Sequence, residues 1–389
     1  MSDKKSKRFS ESPTESDYSE PVAKRTRSSS RKQGETLIPV PVVAKPTILD
    51  VLNEDCWRLV LDYVSLRDVV RSERVSKQWR HVVYRYLRGA RLYIRMCLYH
   101  NYKTATPSVK CRILDAYGSY TKTVIAKYGP AIVTADCRGV SDLRALGKHS
   151  PDLEELRLVN EQYHNLKLKA VHFNNLRRLY LGNVLRFKDA HISKLLGSPV
   201  LEELKILENQ MMTGSCLSDL KSNLKTLELS RCKRLDITNA LSASHHFSEL
   251  TRLELNRNSE YVLQDVYKVL ENTPKLEYLG LQWYASTAVG GLVEALCGLS
   301  RLKHLCLLSN QSVRDEWLEA VGRSCGEIRT VDVGGCKEVT AAGLEALCRG
   351  AGKTLTALGF SHSFLTDEDV ARCVALCPNL QVITTTRSY

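Results

Sequence analysis

The chain has 389 residues, 43% of them hydrophobic and 25% charged, with a formal net charge of +13. That length exceeds one ordinary domain, and that apolar fraction can bury a large core. No apolar run approaches the roughly 18 residues of a membrane span, and the opening MSDKKSKRFS has no apolar stretch of the kind a secretory leader needs. Thirteen cysteines are scattered with no C-x-x-C pair, so they read as reduced, mostly buried thiols of an intracellular protein. The final TTTRSY offers no cysteine for prenylation.

Residues 1–46 form a tail rich in Ser, Lys, Arg and Glu. With few large apolar side chains it cannot offset its ordering entropy, and disorder is expected. Lys4-Lys5-Ser6-Lys7-Arg8 and Lys24-Arg25-Thr26-Arg27 have the composition of a nuclear import signal, and equally that of a solvated tail. The expected location is therefore the nucleus, the cytoplasm or both. Ser12-Pro13 is a candidate for proline-directed phosphorylation. Most of the excess charge lies further on, since residues 67–128 hold fourteen Lys or Arg against only Asp68, Glu73 and Asp115. Such a field suits an acidic protein partner or nucleic acid.

Residues 47–90 read as short helices: TILDVLNEDCWRLVLDYVSLRDVVRSERVSKQWRHVVYRYLRGA. Apolar residues fall at Leu52, Val60-Leu61, Val64, Leu66, Val69-Val70, Val75 and Trp79. This series resembles an F-box, the three-helix motif that docks onto the adaptor subunit of SCF-type ubiquitin ligases. It departs from that pattern at Asn53, where the motif has proline, and at Cys56-Trp57, where it has an apolar pair. The resemblance implies an adaptor-binding role for Leu52, Val60, Leu61, Leu66, Val69, Val75 and Trp79, and through the adaptor a link to cullin.

Residues 91–130 read as a connector, with Leu92, Ile94, Met96 and Leu98 alternating like a strand and 109–125 expected to be helical. From residue 131 the chain repeats itself, and Ala131 to Ala135 is a candidate degenerate first strand. Copies of L-x-x-L-x-L begin at Leu153, Leu176, Leu201, Leu224, Leu250, Leu276, Leu302, Ile328, Leu355 and Leu380, at intervals of 23 to 27 residues. The L-x-L pair points to one face of a short strand, and stacked neighbours must supply the other wall of the core. The ninth place holds Asn209, Cys232, Asn258, Asn310 and Cys336, side chains able to bond bare backbone groups inside a stacked turn. These are leucine-rich repeats. The expected α/β fold is a horseshoe of about ten repeats, with parallel concave strands and convex helices, behind a small all-helical F-box. Helix starts are expected at Ser312 with Asp315 and at Thr366 with Asp369.

No catalytic constellation emerges, and neither a cofactor nor a metal is expected. Gly350-Ala-Gly-Lys353 lacks the first glycine of a phosphate loop and reads as a helix C-cap. Cys97 with His100 has metal-like spacing but no second pair, and His245-His246 has no nucleophile or carboxylate at useful spacing. With the motif and repeats together, the chain resembles the F-box/leucine-rich-repeat proteins, which implies a non-catalytic receptor presenting a protein substrate. The alternative is a non-ligase nuclear scaffold using the basic 67–128 segment; no membrane partner is expected, and nucleic acid is the less favoured partner. Outward strand positions are charged in the first half, and become Tyr278, Gly280, His304, Cys306, Asp332, Gly359 and Val382 from Leu276 onward. Tyr284, after Trp283, breaks the ninth-place rule. The expected target site therefore centres on Tyr278, Trp283, Tyr284 and His304, with Arg178 and Arg252 at its edge.

Overall fold

A computed structural model of the chain describes residues 46–97, 112–117, 120–138, 143–159, 172–236, 247–258, 266–282, 291–361 and 365–386. The chain divides into two compact units, Met1–Thr47 and Ile48–Tyr389. The basic clusters of the tail, Ser12-Pro13, His100, His245-His246, Trp283 and Tyr284 lie outside the described residues.

Four helices open the second unit: α1 (Ile48–Val51), α2 (Glu54–Asp62), α3 (Leu66–Ser72) and α4 (Lys77–Gly89). Short polar side chains begin the last three. Asn53 Oδ1 accepts from Cys56 N at 2.9 Å, Ser65 Oγ from Asp68 N at 3.2 Å, and Ser76 Oγ from Trp79 N at 3.0 Å. Each satisfies an N–H that the helix leaves bare. Asn53, where the motif has proline, thus starts α2 by capping it. Trp57 packs edge-on against Trp79, ring centroids 5.0 Å apart, and Trp79 Nε1 donates to Ser72 Oγ at 2.7 Å.

The strands of the described residues form one thirteen-stranded sheet. After β1 (Leu92–Cys97), β2 (Arg112–Tyr117) and β3 (Ile132–Arg138) come β4 (Glu155–Val159), β5 (Arg178–Gly182), β6 (Glu203–Leu207), β7 (Thr226–Ser230) and β8 (Arg252–Asn256). β9 (Tyr278–Gly280), β10 (His304–Cys306), β11 (Thr330–Asp332), β12 (Ala357–Ser361) and β13 (Val382–Thr386) complete it. From β3 to β13 spatial order follows sequence order, and every pairing is parallel. Each strand from β4 to β13 begins two residues after the first apolar residue of its repeat. The expected first strand is β3, longer than Ala131 to Ala135 and starting at Ile132.

One expectation fails before β3. Residues 112–117 are strand rather than helix, and helical structure runs over α5 (Tyr120–Tyr128). β1 already pairs with β3 on one side, so its other edge would present unpaired backbone groups; β2 covers it. Within the expected connector, β1 and β2 therefore belong to the sheet and form its end.

The ninth-place side chains do what their chemistry allows. Asn209 is fully buried: its Nδ2 donates to the carbonyls of Val184 and Phe187, both at 2.9 Å, and its Oδ1 accepts from Met211 N and Met212 N. Asn258 and Asn310 donate to Leu229 O and Leu281 O, and the Cys336 thiol donates to Leu307 O at 3.0 Å. The residue just before this place is left-handed in six repeats: Asn183, Glu208, Arg231, Arg257 and Ser309 have φ between 53° and 58°, and Gly335 has φ 79°. For those five, the N–H bonds a carbonyl of the next repeat, as Glu208 N does with Ser230 O at 2.9 Å.

On the convex side, the described residues of the early repeats carry the short turns Asp189–Ile192, Ser193–Leu195 and Ser215–Asp219. Later ones carry the helices Leu292–Cys297, Asp315–Ser324, Ala341–Ala351 and Asp367–Leu376. Thr366 and Asp369 form the expected capping box. Ser312 does not cap its helix: it is buried, its N–H bonds Asn310 Oδ1, and Asp315 instead accepts from Thr340 N at 2.8 Å in the next repeat. Gly352 is the C-cap expected of that stretch, with right-handed φ −58°; an added Cβ would lie 2.1 Å from Leu376 O, so close helix packing is what demands glycine.

One core runs through the described residues of the second unit. Leu61, Leu66, Val69, Val83 and Leu87 of the opening helices pack in the same buried cluster as Leu92, Ile94, Val124 and the repeat leucines. Among the described residues no helix is long and apolar enough to cross a membrane.

Candidate functional sites

Two surfaces stand out, one at each of the positions where the sequence pointed. On the opening helices, Ile48, Val51, Leu59, Val60, Tyr63 and Val75 are exposed large apolar side chains, Tyr63 at 93% and Val75 at 75%. They make up most of the exposed large apolar residues described; the remainder, Val374, Leu376, Val382 and Ile383, lie at the other end of the sheet. A concentration of this kind marks a surface that a partner covers.

The seven residues expected to meet the adaptor divide by burial. Val60 and Val75 are exposed, while Leu52 and Trp79 are half-buried. Leu61, Leu66 and Val69 belong to the core and support the helices from beneath. Leu52 lines a small hollow of about 130 Å³ with Trp57 and Tyr86. Leu59 and Tyr63 were missed, although the helical period contained them: they lie one turn apart, and both stand off the side that carries Leu61.

The concave face presents two rows of side chains in register. One row runs Tyr93, Thr134, Glu155, Arg178, Glu203, Thr226, Arg252, Tyr278, His304, Thr330, Ala357, Val382. The other runs from Arg95 through Asp136, Arg157, Tyr180, Lys205, Glu228 and Glu254 to Gly280, Cys306, Asp332, Gly359 and Thr384.

In the second half these rows make a hollow of about 220 Å³, bordered by Tyr278, His304, Cys306, Asp332, Gly359 and Thr384. The Arg252 guanidinium lies 3.5 Å over the Tyr278 ring, a cation–π contact, while its Nε donates to Glu254 Oε1 at 2.9 Å. The Tyr278 and His304 rings are 6.2 Å apart, and His304 Nδ1 lies 2.9 Å from Thr330 Oγ1. Burial, then the Glu254 carboxylate, pushes the Tyr278 phenol up to about 12. Burial and then the cations Arg329, Arg252 and Lys303 hold the His304 imidazole below its ordinary value.

The structure thus brings Arg252, Tyr278 and His304 together. Arg178 stands apart, three strands away on β5, or about 14 Å at ordinary strand spacing. Its Nε donates to Glu155 Oε2 at 3.1 Å. It belongs to a second charged group that begins before the first full repeat. Tyr93 Oη donates to Asp136 Oδ2 at 3.1 Å, Arg138 Nε is 3.4 Å from Asp136 Oδ1, and Arg157 Nη1 is 3.7 Å from Glu155 Oε1. The repeat pattern missed Arg95, Asp136 and Arg138 because β1 and β3 lack its leucine spelling. Among the described residues no group of three His, Cys, Asp or Glu is placed to hold a metal.

Residues 49–87 match the F-box domain family, so the exposed apolar helices are an F-box domain. Among solved structures, an internalin (inlF) from Listeria monocytogenes matches with a TM-score of 0.51 at 16% identity, covering 86% of this chain and 89% of that one. That likeness concerns the fold, an open α/β horseshoe of stacked parallel strands. No curated protein matches the chain.

Proposed function

We propose that the chain is the substrate-recognition subunit of an SCF-type ubiquitin ligase. The observation that carries this reading is the F-box domain whose apolar side chains stay exposed while its interior is fused to the horseshoe core. The F-box holds the adaptor, and through it cullin; the concave face holds a target protein beside the ubiquitin-charged enzyme. The receptor raises local concentration and performs no chemistry of its own. It works in the nucleus, the cytoplasm or both.

The test uses residues whose loss leaves the core intact. Leu59→Ser with Tyr63→Ala, both fully outside the core, should abolish capture of the adaptor without lowering the melting temperature. Full capture by this variant would remove the receptor reading. The basic 67–128 segment supports a second reading, a nuclear scaffold for nucleic acid. Submicromolar DNA or RNA binding with a steep salt slope would favour it.

The target site in this reading centres on Tyr278 and His304, with Arg252 against them and Trp283 and Tyr284 following on the same repeat. The hollow beside Tyr278 and His304 offers room for a partner's side chain, and the aromatic wall would desolvate it. Tyr278→Ala with Trp283→Ala should remove the captured target while adaptor binding persists.

A further inference from the structure

The sheet does not end as it begins. At the start, β2 covers β1 and itself carries Arg112 and Asp115. At the far end, β13 pairs with β12 in one unbroken register, and among the described residues nothing pairs with its other edge. Val382 N donates to Thr356 O, toward β12. Alternate residues of a parallel strand bond in opposite directions, so the N–H and C=O groups of Ile383 and Thr385 face outward, bare. Natural edges are blunted by lysine, proline or a bulge. Val382–Thr386 reads VITTT, with none of these and no charge.

The core side of this end is open in the same way. Leu305, Val331 and Leu358, in register on β10, β11 and β12, are each 1% exposed, whereas Ile383 beside them is 39% exposed. The helix Asp367–Leu376 turns apolar residues to the same side. Its Arg372 reaches back to the preceding helix, Nε 2.7 Å from Glu345 Oε1, and its Cys373 is buried. Val374 lies about 200° further round from Arg372. It is 43% exposed, and Ala371, one turn earlier, is exposed as well. A repeat array ordinarily closes on a polar outer face. Here the last strand and the last helix both close it on apolar ones.

Whatever covers this end must bring a strand and a helix at the spacing they have in the array. A lone extended segment would close the edge of β13 and leave Val374 bare; a second copy of the same end brings both. A two-fold axis sets like against like, which a charged face resists. This face has no such obstacle: Gln381–Thr386, Ala371 and Val374 are uncharged, and Arg372 is engaged by Glu345 and Asp369. Asp367 and Glu368 sit in the first turn, well along the helix from Val374. We propose that two copies of the chain join end to end through β13, antiparallel about a two-fold axis at Thr384. Ile383 of each copy then exchanges both backbone bonds with Thr385 of the other, and Thr384 faces its own counterpart. The two helices lie side by side over the joint. Because the axis stands perpendicular to the sheet, both concave faces stay on one side. Val382 and Thr384 border the hollow of Tyr278 and His304, so the joint sets two such hollows next to each other.

The experiment is sedimentation velocity of the full chain over a concentration series. One strand and one helix from each copy make a small interface, so wild type should pass from monomer to dimer in the micromolar range. Thr385→Pro removes an outward N–H and no bond to β12. It should melt as wild type and weaken dimerisation at least about tenfold. Val374→Lys should weaken it as much without touching the strand. Thr384→Cys should give a covalent dimer under oxidised glutathione that wild type, treated alike, does not, because the axis brings the two thiols together. Leu59→Ser with Tyr63→Ala alters only the exposed F-box surface and should dimerise as wild type. A chain that stays monomeric up to about 100 μM, a dimer that survives Thr385→Pro or Val374→Lys, a missing Thr384→Cys cross-link, or a dimer lost in the F-box variant overturns the proposal.

Discussion

Five non-glycine residues hold the left-handed turn after their strands, and each bears a cost of about 1 kcal/mol for its Cβ. Their N–H groups extend the ladder by one bond, which offsets that cost. Ser309→Gly should therefore stabilise the fold by about 0.5 kcal/mol, read as a higher urea midpoint. Gly335→Ala should do the reverse by about 1–2 kcal/mol, since it adds a Cβ at φ 79° and 2.6 Å from Ser309 Oγ. Sequence could not show this turn, because Glu208, Arg231 and Arg257 carry no mark of left-handed backbone. The ninth place was legible because a buried turn has polar atoms that only certain side chains can satisfy, as Asn209 does. At His304, burial and nearby cations favour the neutral ring, so its folded value lies below the ordinary 6.5. Its contribution to stability is complete above the ordinary value and is lost as pH falls from there through the lower folded value. A proton NMR titration should show His304 moving late on acidification, and earlier in Arg252→Ala.

An ion pair with a buried carboxylate ties the end of α3 to α5. Glu73, which follows α3, is 7% exposed and takes both Lys127 Nζ and Tyr128 Oη from the end of α5. Arg80 Nε binds the Glu73 carbonyl at 3.3 Å. Glu73→Ala strands a half-buried lysine and should cost about 2 kcal/mol, discounted for the exposure of Lys127. Glu73→Ala with Lys127→Ala should cost less than the sum of the single changes, a coupling that denaturant titration of the four proteins would measure. Elements were most legible where one face is buried and period decides: all ten consensus strands start where L-x-x-L-x-L predicts. Legibility failed at β2, where the pairing of RILDAY depends on the bare edge of β1, a tertiary fact. It failed again at Ser312, because the helix starts only at Asp315 with Arg314 in the cap position. The charged group at the start of the concave face was legible only at Arg157 and Arg178, because Arg95 and Arg138 stand on strands without the leucine spelling. Its members lie on four different strands, and no short stretch of sequence contains it.

At the scale of the molecule, the exposed apolar surface of the F-box domain and the concave face share one packing arrangement, because Leu61, Val69, Leu87, Leu92 and the repeat leucines fill a single core. Backbone amides of α4 and of β3 to β5 should therefore exchange with solvent at similar opening free energies. Much faster exchange across α4 alone would show that the helices open separately. Each strand adds about 4.8 Å along the horseshoe, and no described residue between α4 and β1 offers slack, since Gly89 ends the helix and Leu92 begins the strand. Under the receptor reading the fold is thus a gauge as well as a grip. Splicing one whole repeat in between β5 and β6 would leave both surfaces chemically intact yet carry the far hollow outward by a strand's width and turn it. Under the receptor reading, such a chain would still load adaptor and target, but ubiquitin would arrive on different lysines of the target.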